Sequence, residues 1–531
     1  MRWFPSNLGV VILALGVVTP AMVCADDVAE NKALAAIRAM GAKVEPFESV
    51  SQFDLDYSLI SIDFSETSVT DADLIQLTRL NGLWGLGLSG TAVTDAGLKH
   101  LVGLKDLQYL RLNKTNVTDA GLIQLAGLAY LKSLDLGFTA VTDAGLIPLA
   151  KLKNLQVLNL SKTAVSDSGL VHLSGLESLQ RLDLDGTGVT DAGLLHLGEL
   201  KDLRVLVLSE TKVTEAGLAH LAGLKDLQQL YLNETDFTDA GLAQLAGCKA
   251  LQFLELRDIE VTDAGLAHLV RLKALKGLGL SNTAVTDAGL AHLAGLKDLQ
   301  ILCLSNTEVR DNGLAHLAGL KALLTLDLSG TEVTDAGLAH LAGLKGLQLL
   351  AIASTEVTDA GLAHLAGLKG LQSLNLISTN VTDAGLAHFA GLNGLQILSL
   401  GGTKVTDAGL AQLAGLKTLR MLRLDGTKVT DAGLIQLAGF ESLATLNLGG
   451  TAVTDSGLIQ LVTFKRLFNL NLSETAVSDA GLAHLSRIKS LRQLDLSGTK
   501  VTREGIEQMQ KSLPKIIISS GLLNSSLQEG K

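Results

Sequence analysis

The stretch Leu107-Gln108-Tyr109-Leu110-Arg111-Leu112-Asn113-Lys114-Thr115-Asn116-Val117-Thr118-Asp119-Ala120-Gly121-Leu122-Ile123-Gln124-Leu125-Ala126-Gly127-Leu128 decides the fold. Leu110 and Leu112 alternate with polar residues at period two, which predicts a short strand with one buried face. Leu122, Leu125 and Leu128 recur at spacing three, the apolar stripe of a short helix. Thr118 stands where an N-cap belongs, and Asp119 puts negative charge into the first turn. Gly127 is expected to be the left-handed stop.

The unit then begins again. Val-Thr-Asp at Val69 recurs at Val93 and Val117 and continues in strict 24-residue register to Val501, with Arg503 in the Asp position of the last of nineteen copies. A fixed period of this length means stacked supersecondary units, each too small to bury its own apolar face. Core then grows along the stack rather than inward, so the 531 residues are expected to form one elongated domain. The 47% hydrophobic content with only 3% aromatic residues reflects Leu, Ala and Val in fixed columns, a buried interior and not a membrane protein.

The pattern L-x-x-L-x-L-x-x-T-x-V resembles a leucine-rich repeat with Thr where the commonest version carries Asn or Cys. Its continuation V-T-D-A-G-L-x-x-L is similar to the variant in many bacterial exported repeat proteins, and more distantly to the repeats of eukaryotic F-box adaptors. The resemblance covers about residues 59–510. It implies an α/β fold: a right-handed solenoid, or horseshoe, with parallel strands on the concave face and short helices on the convex one. An F-box would precede the repeats, where residues 26–58 are too few and of the wrong character.

The ends differ in kind. Arg2, an apolar run from Leu8 to Val18 and Val23-Cys24-Ala25 read as a signal peptide over 1–25, cut after Ala25. Anchoring through Cys24 is disfavoured by Val23, where a lipoprotein signal wants a small residue. The expected location is secreted or periplasmic, without membrane insertion after cleavage. Asp27 to Gly41, with Leu34, Ile37 and Met40 at helical spacing, then Ala42 to Pro46, reads as an N-terminal cap within 26–58. At the other end, Leu513 to Ile518 is expected to close the sheet and Ser519 to Lys531 to trail, which makes 511–531 a final strand and tail. Removal of 1–25 takes away Arg2 and moves the net charge from −11 to −12, a balance unsuited to nucleic acid or anionic membranes. Cys248 replaces a core Leu and Cys303 is placed on an outward strand position, so the two are not expected to form a disulfide.

Three columns invite a chemical reading. All eleven histidines, from His100 to His484, share one helix position, and a metal ladder over His268 to His388 is weighed against a solvated outer face. The column points away from the core leucines and Gln substitutes freely, so no metal site is predicted. The Asp column, Asp71 through Asp479 with Glu215 as its variant, is read as helix capping rather than calcium ligation. The Thr column, Thr67 through Thr499 with Ile259 its exception, is expected to satisfy backbone groups of its own turn and of the neighbouring repeat. A triad needs its members within hydrogen-bond reach. The histidines belong to the helix side, and Cys303, Ser281 and Ser305 to the sheet side. No catalytic group, cofactor site or metal site is assigned, and the chain is not expected to be an enzyme.

What varies from copy to copy is the outward side of the strands. Neighbouring strands lie roughly 4.8 Å apart, so nineteen give a surface on the order of 85 Å long. The first candidate patch is Tyr231, Phe253, Glu255, Arg257 and Asp258, beside the departures Phe237, Cys248 and Ile259. The second is an apolar strip of Ile301, Leu349, Ile377, Ile397 and Met421. The expected function is a non-enzymatic interaction scaffold, monomeric, that binds a protein or glycan ligand through the concave face. The alternative is a structural, self-associating component of the cell envelope.

Overall fold

A computed structural model describes residues 25–46, 60–80 and 82–521. The signal-peptide reading of 1–25 thus lies outside the described residues, Cys24 included, apart from Ala25, which opens the first helix. Most of the 511–531 tail, from residue 522, lies outside them too.

Each repeat makes a three-residue strand such as Tyr109–Arg111, a tight turn, and a helical segment such as Asp119–Leu122 continued by a 3-10 turn over Ile123–Gly127. Successive strands pair in parallel at a 24-residue offset, Leu110 against Leu134 and Leu134 against Leu158, from the strand Ile60–Asp63 to Ile517–Ser519. The sheet has twenty-one strands, because the closing strand at Ile517 and an antiparallel strand, Lys43–Pro46, add to the nineteen expected. The helix Ala25–Ala39 packs on the first repeat with Ala33 and Ile37 buried and Leu34 and Met40 half-buried against the core. Helical segments and strands form two layers, and the leucines between them, Leu110, Leu112, Leu122 and Leu125 among them, are almost wholly buried. Each such side chain contributes about 1.5–3 kcal/mol of burial, which drives the stacking.

Two columns of hydrogen bonds recur along the repeats. The Thr column donates its hydroxyl to the carbonyl three residues back, Thr115 Oγ1 to Leu112 at 2.5 Å. These bonds stay within one turn, so the expected reach to the neighbouring repeat is not made by this column. The Asp column makes it instead. Asp95 accepts the backbone N–H of Thr118, 23 residues on, at 2.8 Å and its hydroxyl at 2.7 Å. The same pair of bonds recurs from Asp71 and Thr94 to Asp479 and Thr502. The Asp thus fixes the next repeat's N-cap, whose hydroxyl in turn accepts a helix N–H, as Thr118 does from Ala120; Arg310, without a hydroxyl, gives Asp287 only its backbone N–H.

Glycine follows from this ladder. A Cβ on Gly121 would fall on Asp95 Oδ1, and one on Gly145 on Asp119 Oδ1. The left-handed position lies elsewhere than expected: Gly127 does not have positive φ, and its helical segment ends on Leu128 at φ −88°. The turn after the strand carries it instead, as at Lys114 (φ 56°), Phe138 (φ 57°) and Gly402 (φ 67°).

Candidate functional site

The outward strand positions fall into two columns with different duties. In the second, Asp and Asn recur because their side chains cap the turn that follows. Asn159 Oδ1 accepts the N–H of Ser161 at 2.8 Å, and Asp327 Oδ1 that of Ser329 at 2.9 Å. Asp327 is therefore no free surface group: it is 6% exposed between Cys303 and Ala351 of the adjacent strands. Cys303, expected to face outward, is likewise only 5% exposed. Burial, with the nearby Glu255 and Asp327 charges, pushes its thiol up to about 12. The thiolate needed for nucleophilic or metal chemistry is thus suppressed. Cys248 is fully buried, and its thiol is also raised by burial. The histidines lie on the helical layer, half-buried or exposed, with the core between them and the sheet-side cysteine and serines. Among the described residues no group of three His, Cys, Asp or Glu side chains is placed to hold a metal ion.

The first candidate patch is one contiguous group. Tyr231 and Glu255 are register partners on adjacent strands, Phe253 stands two residues before Glu255, and Arg257 and Asp258 form the turn just after it. Arg257 is held by its neighbours, Nη2 to Glu234 at 2.8 Å and Nε to Asp258 at 3.4 Å. Its backbone N–H goes to Asn233 of the preceding repeat at 2.8 Å. Asp258 sits at the left-handed position (φ 57°) and accepts from Asn282 at 2.7 Å. Burial raises the Tyr231 phenol and lifts the Glu255 carboxyl to about 7, the latter opposed by Arg257.

The second patch does not form the expected strip. Ile301, Leu349, Ile397 and Met421 share one column, but Thr325 and Ser373 stand between them in the sheet register. Ile377 belongs to a turn column, because the period places it with Arg257. Only Ile397, at 37%, is exposed; the others are half-buried.

Two surface features escaped the reading of the sequence. Tyr109, 43% exposed on the sheet side, meets Trp84 edge-on at 5.0 Å, and its place in an outward column was the signal for it. On the helical side Ile123, Ile147, Val171 and Leu195 occupy one position in four consecutive repeats and are 44–63% exposed. That position carries Ala in the nine repeats from Ala219 to Ala411, so the contrast was written in the sequence.

The repeats are leucine-rich repeats. One leucine-rich-repeat family model matches residues 369–429, and a second matches 127–150, 151–174 and 321–342. No curated protein matches the chain. Among solved structures, a Leptospira interrogans leucine-rich-repeat protein is similar at 21% identity and a TM-score of 0.49, over 75% of this chain and 91% of that one. An internalin from Listeria monocytogenes is 24% identical over 75% and 94% of the two chains, with a TM-score of 0.44. The leucine-rich-repeat ectodomain of the Arabidopsis receptor kinase HAESA is 16% identical over 92% and 89%, with a TM-score of 0.47.

Proposed function

We propose that this chain is an exported, non-enzymatic scaffold that binds a protein or glycan through the sheet face of its solenoid. One observation carries the reading: side chains in the conserved columns are consumed by core and ladders, while Tyr231, Phe253, Glu255, Arg257 and Asp258 gather aromatic and charged groups at one place on the face. Interface energy concentrates in such Tyr and Arg anchors. Cys303 on the sheet and the histidines on the helical segments lie on opposite layers, and Cys248 is buried in the core, which speaks for binding rather than catalysis. No described helix is long and apolar enough to cross a membrane. Ile301, Leu349, Ile377, Ile397 and Met421 remain a secondary contact region of the same face.

The test changes Tyr231, Phe253 and Arg257 together to Ala, checks the fold by circular dichroism, and repeats a pull-down from envelope extract. Loss of a partner retained by the parent chain is the expected result. Retention of every partner at equal yield removes this patch.

The second reading, self-association in the envelope, is favoured by the aliphatic row Ile123, Ile147, Val171 and Leu195 on the helical side. Light scattering with size exclusion separates the two. A monomer supports the scaffold, whereas concentration-dependent oligomers that an Ile147→Glu change dissolves support self-association.

A further inference from the structure

Glu255 breaks the rule of its own column. Where Asp or Asn stands there, the side chain reaches the N–H two residues on and caps the turn, as Asp135 does for Gly137 at 3.1 Å and Asn447 for Gly449 at 3.0 Å. In the repeat of Glu255 that N–H belongs to Arg257 and is taken by Asn233. The carboxylate has thus been released from the turn. It lies instead over the next strand, Gly277–Gly279, whose two outward positions carry no side chain: a Cβ on Gly279 would coincide with the Glu255 carboxyl. There its Oε1 is buried without a hydrogen-bond partner. A buried, unsatisfied carboxylate oxygen is costly to keep and calls for an explanation.

We propose that Glu255 is the anchor for a lysine or arginine side chain of a protein ligand, received over the glycine gap between the strands Phe253–Glu255 and Ile301–Cys303. The proposal rests on the reading of the sheet face as a binding surface and names the chemistry it recognises. Arg257, the cation of the same repeat, is held in pairs with Glu234 and Asp258, so it acts on the Glu255 carboxyl through its charge and makes no direct ion pair with it. Tyr231 is its register neighbour on one side, and Gly279 then Cys303 follow on the other. The half-buried ring of Tyr231 offers a cation a π face beside the carboxylate. Gly277 and Gly279 are buried and the Glu255 carboxyl lies over Gly279, so the gap opens to a ligand side chain as that carboxyl moves out of it. A ligand cation also supplies the donors that Oε1 lacks, with the carboxyl swinging up from the gap to meet it.

The groups that face Glu255 define its pH response. They are Tyr231 on the preceding strand, Arg257 in its own turn, and Cys303 beyond the glycines, with Asp327 behind it. Burial lifts the Glu255 carboxyl to about 7, so it gains charge between pH 6 and 8 and binding of a cation should tighten over that interval.

The probe is a fluorescein-labelled (Ser-Arg-Gly)4 peptide, with a counterpart carrying citrulline for arginine, titrated with the mature chain and read by fluorescence anisotropy. The arginine peptide is expected to bind at least tenfold more tightly than the citrulline peptide and to tighten from pH 6 to pH 8. Glu255→Gln should weaken it about tenfold and abolish the pH response. Glu356→Gln, which removes the same charge from an exposed site, should change it less than twofold. Absence of arginine-peptide binding, or equal effects of the two substitutions, overturns the proposal. If the Tyr231, Phe253 and Arg257 variant still loses its captured partner while the peptide ignores Glu255, the face binds a ligand but not through this anchor. If the peptide depends on Glu255 and no partner is captured, the anchor stands and the wider reading falls.

Discussion

Twelve of the nineteen turn positions with positive φ in the described repeats hold a residue other than glycine, among them Ser354 at φ 54° and Glu474 at φ 55°. An L residue there brings Cβ against the carbonyl that follows and costs about 1–2 kcal/mol, partly offset by the chain entropy that glycine would lose. Ser354→Gly should therefore raise the urea-unfolding free energy by about 0.5–1 kcal/mol, and a lowered midpoint would contradict this account. Nothing in Lys114, Phe138 or Glu474 announces a left-handed residue, which is why that position was sought at Gly127. Asp327 shows a related limit of periodicity: the period puts it on the outward side, but exposure depends on its neighbours at one strand spacing, and between Cys303 and Ala351 it is buried. Glu255 gives the second prediction at this scale. Its folded value near 7, against an ordinary 4.5, means that the neutral acid is the form the native state prefers. The stabilisation this brings is complete below pH 4.5 and is lost as pH rises through 7, and it amounts to at most about 3 kcal/mol. Unfolding midpoints should thus rise from pH 8 towards pH 5, and Glu255→Gln should remove that increment. A variant with the parent's pH profile would show that the carboxyl is not held in the gap.

The helical element owes its place more to its first turn than to its length. Four to seven residues form a helix too short to persist alone, and the Asp of the preceding repeat holds its N-cap through two charge-assisted bonds. Glycine two residues after each Asp is what admits that carboxylate. Gly145→Ala should therefore cost about 1–3 kcal/mol by overpacking against Asp119, while the exposed neighbour Ala144→Ser should change stability by less than about 0.5 kcal/mol. Equal costs would mean that the close approach is not real. In the strand, Leu326→Ala should cost about 2–5 kcal/mol, since Leu326 is wholly buried. Strand, turn and helix were legible because each imposes its own period on leucine. The ladder was not, because its partners lie 23 residues apart and no local period marks them, although the recurring Thr-Asp-Ala-Gly run contains every atom it uses.

In a solenoid each repeat touches only its neighbours, so the strength of the whole molecule is set at its weakest junction. One junction lacks the ladder. Glu215 replaces Asp, Thr238 has no side-chain cap bond, and at Gly241 the ring of Phe237 fills the space that an Asp carboxylate occupies at Gly217 and Gly265. The two departures belong together: the larger ring leaves no room for the carboxylate, and the longer acid no longer reaches the next cap. The break lies beside Tyr231, Phe253 and Glu255, so the least tightly registered part of the stack carries the face where aromatic and charged groups collect. Recognition surfaces are drawn from regions of low local stability, and here that link has an explicit structural cause. Hydrogen exchange should accordingly show the amides around residues 215–241 losing protection before those of the flanking repeats. The causal claim is tested by a double-mutant cycle. Glu215→Asp alone should gain little, because Phe237 still blocks the carboxylate, and Phe237→Val alone should lose stability by opening a cavity. Together they should restore the bonds to Thr238 and show a favourable coupling of about 1–2 kcal/mol, with exchange at the junction slowed to that of its neighbours. Additive effects of the two substitutions would mean that Phe237 does not exclude the rung, and that the weak junction has another origin.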